Sequence, residues 1–338
     1  MKLYRYRPLS EFLPKDLLFS EVYLASPMEL NDPLDLNGQL NFFTECEAEI
    51  RALVRFLFTQ SLVSLGQVDL AKKLMDLMSY DHIGSYIMAE FSSRNSGIVT
   101  KSDLFDILLR FYGENAFTEE ELEKLKAEDL FSTLDDLFTQ FLNNSSVACF
   151  SESNTNYLMW SHYASGHTGI CLEFEMDADP ENSNTCHFPL LSNVPFEGKY
   201  IEWVGNVKRV SYPTYLSKLK IYDYLPIFNN AGDVDLMNLS KSYWRQYARG
   251  IENIFLQKLA PWSEEKEWRL VYVSFHESMP EDRILKFNSS ALTGVYFGAK
   301  SSEHTQIRVR NILEKSNNNP LFYKCNVDGT RGIGIEKT

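Results

Sequence analysis

The sequence predicts an α+β protein with a mixed or antiparallel β-sheet core and a large α-helical insertion. Strand-like segments at the start of the chain return only after residue 145, and they do not alternate regularly with helices. The residues between them carry apolar side chains at spacings of three and four, which is typical of amphipathic helices. This segregation favours α+β over a doubly wound sheet. We therefore expect residues 1–40 and 145–338 to form an α+β, catalytic-like core, and residues 41–144 to form the insertion.

Local patterns place the individual elements in chain order. Alternation and β-branched or aromatic residues predict strands at residues 3–8, 17–25, 145–152, 169–176, 205–213, 267–275, 283–288, 294–300 and 321–327. Helical periodicity covers residues 10–16, 42–65, 68–91, 101–113 and 119–142. Further helices are expected from about Ser240 to Lys258 and from about Ser302 to Ser316. Residues 182–186 and 316–319 are expected to be loose loops.

Composition indicates a cytoplasmic globular protein that does not bind a membrane. The 338 residues are 44% hydrophobic, and no run approaches the roughly 18 apolar residues of a membrane span. The first residues lack the apolar stretch of a signal peptide, and the five scattered Cys form no disulfide or zinc pattern. A net charge of −13 disfavours nonspecific nucleic-acid binding. The acidity is concentrated in residues 41–148, which hold 18 Asp and Glu against nine Lys and Arg.

Several common catalytic motifs are absent from the sequence. It contains no GxGxxG after a strand, no GxxxxGKS/T, no GxSxG and no HExxH. Dinucleotide-fold, P-loop, hydrolase-elbow and zincin chemistry therefore have no support. His162 and His167 are five residues apart, so they do not share a helix face and form a poor metal pair. We expect no metal cofactor.

The first group of candidate site residues lies in SEEKEWRLVYV, residues 263–273. Glu265 and Glu267 are two apart at the mouth of a strand, so a period of two places both carboxylates on one face. Like charges repel there unless a cation lies between them, and Arg269 shares the face. One interpretation is a surface ion-pair ladder. The other is a carboxylate pair in a cleft that stabilises a developing cation or activates a nucleophile.

The first strand, LYRYRP, offers the second group. Leu3, Arg5 and Arg7 share one face of this strand, and Tyr4 and Tyr6 share the other. Exposed arginines commonly blunt a sheet edge. Directed inward, the two guanidiniums would form a fork for phosphate oxygens.

A third group lies in residues 149–175, which crowd His, Trp, Tyr, Cys and carboxylates into a strand, a helix and a strand. Trp160 and Tyr163 are three apart and are neighbours on one helix face. They are either core aromatics or a stacking wall for a planar ring, with Ser151 and His162 supplying hydrogen bonds.

The segment NDPLD has two interpretations as well. Asn31, Asp32 and Pro33 predict a turn, because Asx side chains bond nearby backbone amides and Pro fixes φ. The alternative is a cleft in which Asp32 or Asp35 contacts a ribose or a base.

Taken together, these segments resemble a bacterial family. MKLYRYR, ASPMELNDPLD, ACFSE, LMWSHYASGHTGICLEF, KLAPWSEEKEWRLV and GVYFGAKSS occur in the order typical of the domain of unknown function 2971 family. The resemblance runs to about residue 325, and the family name implies no activity. A more remote resemblance is to ADP-ribosyltransferases, which carry an Arg or His on an early strand, a Ser or Tyr on a middle strand, and a Glu, sometimes as E-x-E, near a later strand.

The second resemblance implies an ADP-ribosyltransferase-like core that consumes NAD as a substrate. Arg5 and Arg7 would hold the pyrophosphate, and Ser151 would hold the nicotinamide ribose. Glu267 would bind the ribose 2′-OH and stabilise the oxocarbenium-like state, while Glu265 would orient or deprotonate the acceptor.

The resemblance thereby defines two sets of candidate residues. The implied catalytic residues are Glu267, Glu265, Arg5, Ser151 and His162. The implied NAD-binding residues are Arg5, Arg7, Ser151, Trp160, His162, Tyr163, Asn31, Asp32 and Arg269, with Trp160 or Tyr163 stacked on nicotinamide.

Three classes of function follow. The first is an ADP-ribosyltransferase or NAD glycohydrolase that serves as a toxin or anti-phage defence effector. It would have a protein or nucleic-acid acceptor, and a regulatory protein partner that binds the acidic insertion. The second is a noncatalytic sensor that binds a nucleotide and relays its occupancy to another protein. The third is a nuclease or nucleotide hydrolase that uses Glu265, Glu267, Asp32 and His162 around a divalent metal.

Overall fold

The protein has mixed α and β content around a large mixed sheet, which confirms the expected α+β class. The structure is a computed structural model, and it describes residues 1–338 except 33, 37–39, 57–65, 79–82, 94–100, 113–117, 127–141, 217–218, 224–252, 274–277, 317 and 329–331. Within those described residues, we find no helix with the length and apolar character needed to cross a membrane.

Strands and helices alternate irregularly along the described chain. The strands are β1 Lys2–Arg7, β2 Glu21–Tyr23, β3 Leu40–Asn41, β4 Ser146–Ser151, β5 Ile170–Glu175, β6 Asp177–Ala178, β7 Thr185–Leu191, β8 Glu202–Arg209, β9 Leu219–Lys220, β10 Glu267–Tyr272, β11 Ile284–Phe287, β12 Leu292–Phe297, β13 Leu321–Asp328 and β14 Gly332–Lys337. The helices are α1 Leu13–Phe19, α2 Glu47–Phe56, α3 Val68–Met78, α4 Ile83–Ser92, α5 Lys101–Tyr112, α6 Glu119–Lys126, α7 Tyr157–Tyr163 and α8 Glu303–Lys315.

The chain divides into two compact units. Unit 1 comprises residues 1–36, 143–216 and 255–338, and unit 2 comprises residues 37–142 and 217–254. Unit 2 holds helices α2 to α6 and a small parallel sheet of β3 and β9. Unlike the expected insertion at 41–144, it includes a segment after residue 216, which the pairing of Leu40 with Leu219 joins to it.

Among its described residues, unit 1 is built on a twelve-stranded sheet that curls back on itself. The order is β14-β13-β12-β5-β1-β4-β10-β8-β7-β11-β2, with β6 paired to β7. Ala25 follows the last strand, β2, and exchanges two backbone hydrogen bonds of 2.8 Å with Val147 of β4. The β2 end of the sheet therefore meets the sheet again at β4.

Alternation along the strands gives this sheet two different faces. Phe150 and Trp268 are register partners on what we call the aromatic face. There the Phe150 ring packs edge-on against Phe174 and other buried aromatics at a centroid distance of 5.8 Å. Such T-shaped pairs favour close aromatic packing. On the opposite, polar face, Ser151 is the register partner of both Tyr4 and Glu267.

An opening separates β1 from β4 within the sheet. The two strands share a single register pair, Tyr4 with Ser151, although β1 is paired with β5 along its whole length. The next backbone contact across the edge of β4 is the bridge between Val147 and Ala25. We call the opening between these two contacts the β1–β4 gap.

Some expected elements differ from those observed. Residues 182–186 do not form only a loose loop, because β7 begins at Thr185 and buries Cys186, Phe188 and Leu190 on alternate positions. Pro189 lies within this strand, and proline weakens the sequence signal for a strand. The helix expected from about residue 240 to 258 lies mostly outside the described residues. Near its expected end, residues 253–255 are described and are helical.

Candidate functional site

A cavity of about 390 Å³ occupies the β1–β4 gap of unit 1. This volume lies within the range of small-molecule sites. The lining residues are Tyr4, Arg5, Tyr6, Arg7, Pro8, Tyr23, Ala25, Glu29, Leu30, Asn31, Asp35, Val147, Cys149, Phe150, Met159, Tyr163, Lys258, Glu265 and Glu267. They combine apolar walls with two charged ends, so the cavity has the composition of a site for a polar ligand.

The acidic end adjoins a buried group of three carboxylates and two cations, Asp35, Lys258, Glu265, Glu267 and Arg269, which we call the charge cluster. Nη1 and Nη2 of Arg269 donate to the two oxygens of Asp35 over 2.9 and 2.7 Å. Nε and Nη2 of Arg269 donate to Glu267 over 2.8 and 2.9 Å. Nζ of Lys258 lies 2.6 Å from Oε2 of Glu265 and 3.6 Å from oxygens of Asp35 and Glu267. Three carboxylates against two cations give the cluster a formal charge of −1.

Local backbone geometry brings Glu265 and Glu267 together. Glu265 ends the 3₁₀ helix Ala260–Glu265, and Lys266 then adopts a left-handed φ of 46° before β10 begins at Glu267. The hydroxyl of Ser151 donates to the backbone oxygen of Glu265 over 2.7 Å and fixes this turn. Both carboxylates are buried, at 6% and 3% exposure, so they do not form a surface ion-pair ladder.

Glu265 and Glu267 have pKa values shifted in opposite directions. Burial raises the pKa of Glu265 above its usual value, and the charge of Lys258 offsets this effect only in part. Burial acts on Glu267 too, but Arg269 and Lys258 outweigh it and hold the pKa of Glu267 below its usual value. Glu267 is therefore ionised at neutral pH, while Glu265 takes up a proton more readily. Two carboxylates separated in this way can divide acid–base tasks between them.

Helix α7 adds Tyr163 to the acidic end. The side chain of Asn156 caps this helix by accepting from the backbone nitrogens of Leu158 and Met159. Tyr163, in the last turn, donates its hydroxyl to Oε1 of Glu265 over 2.7 Å. Asn31 donates to the same hydroxyl over 3.2 Å.

The basic end of the cavity holds two guanidiniums with too few partners. Nη2 of Arg5 donates to the backbone oxygen of Tyr23 over 2.6 Å, but Nη1 of Arg5 is buried without a hydrogen-bond partner among the described residues. Nη2 of Arg7 lies 2.6 Å from Oδ2 of Asp16. Nε of Arg7 is also buried without a hydrogen-bond partner among the described residues. Burial and the charge of Arg7 lower the pKa of Arg5. An anion at this end would relieve the cost of these buried cations.

The two ends lie on opposite faces of the sheet. Arg5 and Arg7 project on the side of Leu3 and the aromatic face, as the alternation of β1 requires. Glu267 projects on the polar face with Ser151. They line one cavity because the sheet is open between β1 and β4.

The other candidate residues lie outside the cavity lining. Trp160 is fully buried, its indole nitrogen donates to the backbone oxygen of Asn154, and its ring packs on Tyr6 at 5.2 Å. Trp160 is thus a core aromatic in this structure, and Tyr163 is the aromatic that α7 supplies to the cavity. His162 is exposed.

The NDPLD segment forms the expected turn and also reaches the charge cluster. Oδ1 of Asp32 accepts from the backbone nitrogen of Leu34 over 2.9 Å, an Asx-type turn contact. Asp35 forms the two hydrogen bonds to Arg269 described above. Pro33 lies outside the described residues.

The described part of the chain contains no ready-made set of metal ligands. No group of three or more His, Cys, Asp or Glu side chains is placed there to hold a metal ion. In the charge cluster, Lys258 and Arg269 occupy the positions between the carboxylates. His162 and Asp32 are not part of this cluster.

Lys258 and Cys149 are two of the cavity residues that the sequence analysis did not single out. Lys258 begins the KLAPWSEEKEWR segment, and only the fold of the 3₁₀ helix reveals that it turns back to Glu265. Cys149 lines the cavity two residues before Ser151. Burial and the charge of Glu267 raise the pKa of its thiol, so Cys149 stays protonated. A lysine seven residues before a carboxylate pair is a weak signal, because its spacing alone does not predict contact.

Unit 1 is therefore a curled mixed-sheet domain with a charged cavity whose volume lies in the range of small-molecule sites. A family model described as protein of unknown function (DUF2971) matches residues 159–270. This match supports assignment to that family, and it spans Tyr163, Lys258 and the Glu265–Arg269 segment. No curated protein matches the chain, and no solved structure does.

Proposed function

We propose that unit 1 binds NAD in this cavity and breaks the bond between nicotinamide and ribose, acting as an ADP-ribosyltransferase or NAD glycohydrolase. The observation that supports this proposal is the charge distribution of a single cavity. Incompletely paired guanidiniums of Arg5 and Arg7 lie at one end, and the carboxylates of Glu265 and Glu267 lie at the other.

The charges of NAD match the two ends. Its diphosphate is an anion that the planar donors of arginine bind well. Its oxidised nicotinamide ring is cationic, and the charge cluster has a formal charge of −1 from three carboxylates and two cations. Because the two charged ends lie on opposite faces of the sheet, the bound dinucleotide would extend through the β1–β4 gap from one face to the other.

The proposed reaction follows from the states of the two carboxylates. The bond between ribose C1′ and the nicotinamide nitrogen breaks, and its electron pair leaves with neutral nicotinamide. Ionised Glu267 stabilises the positive charge that develops on the ribose. The oxygen of water, or a nucleophilic atom of a protein or nucleic-acid acceptor, then attacks C1′, and its proton passes to Glu265. Ser151 contributes by holding the Glu265 backbone, and Tyr163 offers its ring to nicotinamide.

A noncatalytic nucleotide sensor is the second candidate. It is favoured by the fact that both oxygens of Glu265 and both oxygens of Glu267 already accept hydrogen bonds within the protein. Such a satisfied network suits a site that binds without turnover. Calorimetry with NAD and ADP-ribose, combined with a nicotinamide-release assay, separates the two candidates, because a sensor binds NAD and leaves it intact.

Replacing Arg5 with Met is expected to weaken ADP-ribose binding by about tenfold to a hundredfold. The change removes a charge-assisted hydrogen bond to phosphate, which contributes about 1.5–3 kcal/mol. Isothermal titration calorimetry measures the effect. Arg209→Met is the matched control, because Arg209 is half-exposed and pairs with Glu152 outside the cavity lining. Equal affinities for wild type and Arg5→Met would remove Arg5 from the site.

A further inference from the structure

We infer that Lys258 is a positioning residue that gives Glu265 and Glu267 separate tasks, keeping Glu265 in place as the group that accepts the proton of the attacking nucleophile. The inference concerns the same cavity and rests on the proposed function.

The contacts of Lys258 with the three carboxylates are unequal. Its ammonium forms a hydrogen bond of 2.6 Å with Glu265, whereas the oxygens of Asp35 and Glu267 lie at 3.6 Å. On another side, the ammonium lies 4.7 Å from the centroid of the Trp262 ring. Since the Lys258 side chain is only 3% exposed, these groups rather than bulk water surround its charge.

Arg269 serves the carboxylates that Lys258 does not bond. Its guanidinium makes two hydrogen bonds to Asp35 and two to Glu267. Glu265 instead receives its hydrogen bonds from Lys258 and Tyr163. Removing the Lys258 ammonium would thus leave Asp35 and Glu267 held by Arg269, and would leave Glu265 as a buried carboxylate without a bonded cation.

The expected result concerns the protonation of Glu265. The titratable and charged groups that act on it include Lys258, Glu267, Tyr163 and Tyr212. The positive charge of Lys258 favours the ionised form of Glu265, whereas the negative charge of Glu267 opposes its ionisation. Without Lys258, burial and Glu267 act together and favour the protonated form. A protonated Glu265 no longer accepts a proton from the nucleophile.

The test compares Lys258→Met with Lys258→Arg in the full-length protein. Carboxyl ¹³C NMR follows the titration of Glu265, whose resonance is assigned by its absence in Glu265→Gln. We expect Lys258→Met to raise the titration midpoint by about one unit or more, and to shift the acid limb of the nicotinamide-release profile in the same direction. Lys258→Arg should restore most of the midpoint.

Lys2→Met is the matched control, since it removes another hydrogen bond between a lysine and a buried carboxylate, that of Lys2 with Glu173 at 2.8 Å. It should leave the Glu265 midpoint unchanged. An unchanged midpoint in Lys258→Met, with the variant folded by circular dichroism, overturns the inference. If Lys258→Met does not fold, an unchanged midpoint in Lys258→Gln overturns it equally. The titration of Glu265 can be measured without catalysis. If the wild-type protein releases no nicotinamide, the proposed function is wrong, but the midpoint of Lys258→Met still tests whether Lys258 controls the protonation of Glu265.

Discussion

Glu267→Gln is expected to slow nicotinamide release from NAD by about a hundredfold or more. The substitution keeps the shape of the side chain and removes the negative charge that faces the developing positive charge on ribose. Removing one electrostatic stabiliser of a transition state typically costs a factor of 10² to 10³. The measurement is the rate of nicotinamide formation at saturating NAD, at a pH where wild-type Glu267 is ionised.

The matched control for this substitution is Glu264→Gln. Glu264 is an exposed residue of the 3₁₀ helix Ala260–Glu265, three positions before Glu267, so its change tests for nonspecific effects of lost charge. Glu267→Gln should also lower thermal stability, because both oxygens of Glu267 accept hydrogen bonds from Arg269 and the amide nitrogen of Gln accepts none. The rate is therefore measured on protein that circular dichroism shows to be folded. Equal rates for wild type and Glu267→Gln would place Glu267 outside the chemistry and would favour the sensor.

Arg269→Met should lower the free energy of unfolding by about 3–5 kcal/mol, the usual effect of breaking a buried ion pair from one side. Arg269 has no exposed surface and bonds Asp35, Glu267 and the backbone oxygen of Phe255. Met fills similar volume but leaves two carboxylates buried with Lys258 as their remaining nearby cation. Urea denaturation followed by circular dichroism gives the difference.

The comparison variant for stability is Arg209→Met. Arg209 also forms an arginine–carboxylate pair, at 3.0 Å from Glu152, but its side chain is 50% exposed. Water screens such a pair, so its loss should cost no more than about 1 kcal/mol. A similar loss in both variants would show that burial of the charge cluster adds nothing to its strength.

Periodicity could predict most of the fold because it depends on local residues. The alternation in LYRYRP correctly separates Leu3 from Tyr6, and three-and-four spacing locates helices α2 to α6. The sequence did not predict strand β7, because Pro189 and polar residues interrupt its pattern of alternating apolar residues. The segment 217–254 could not be assigned to unit 2 from the sequence, since its link to β3 is a pairing between residues 179 positions apart, Leu40 and Leu219.

The site was predictable only in part, for a related reason. Charged residues in apolar surroundings mark Glu265, Glu267 and Arg5 as unusual, and all three line the cavity. Their partners depend on long-range contacts: Asp35 meets Arg269 across most of the chain. Trp160 and Tyr163 show the limit of helix-face reasoning, because one enters the core while the other reaches Glu265.

Few backbone contacts join β1 to β4 in the middle of the sheet. The register pair of Tyr4 with Ser151 joins the two strands, and farther along the same edge of β4 the backbone partner of Val147 is Ala25 instead of a residue of β1. On either side of the opening, β1 is paired continuously with β5, and β4 is paired continuously with β10. Side-chain packing such as that of Phe150 on Phe174 also crosses the opening, so widening it would disturb this aromatic packing as well as the two backbone contacts.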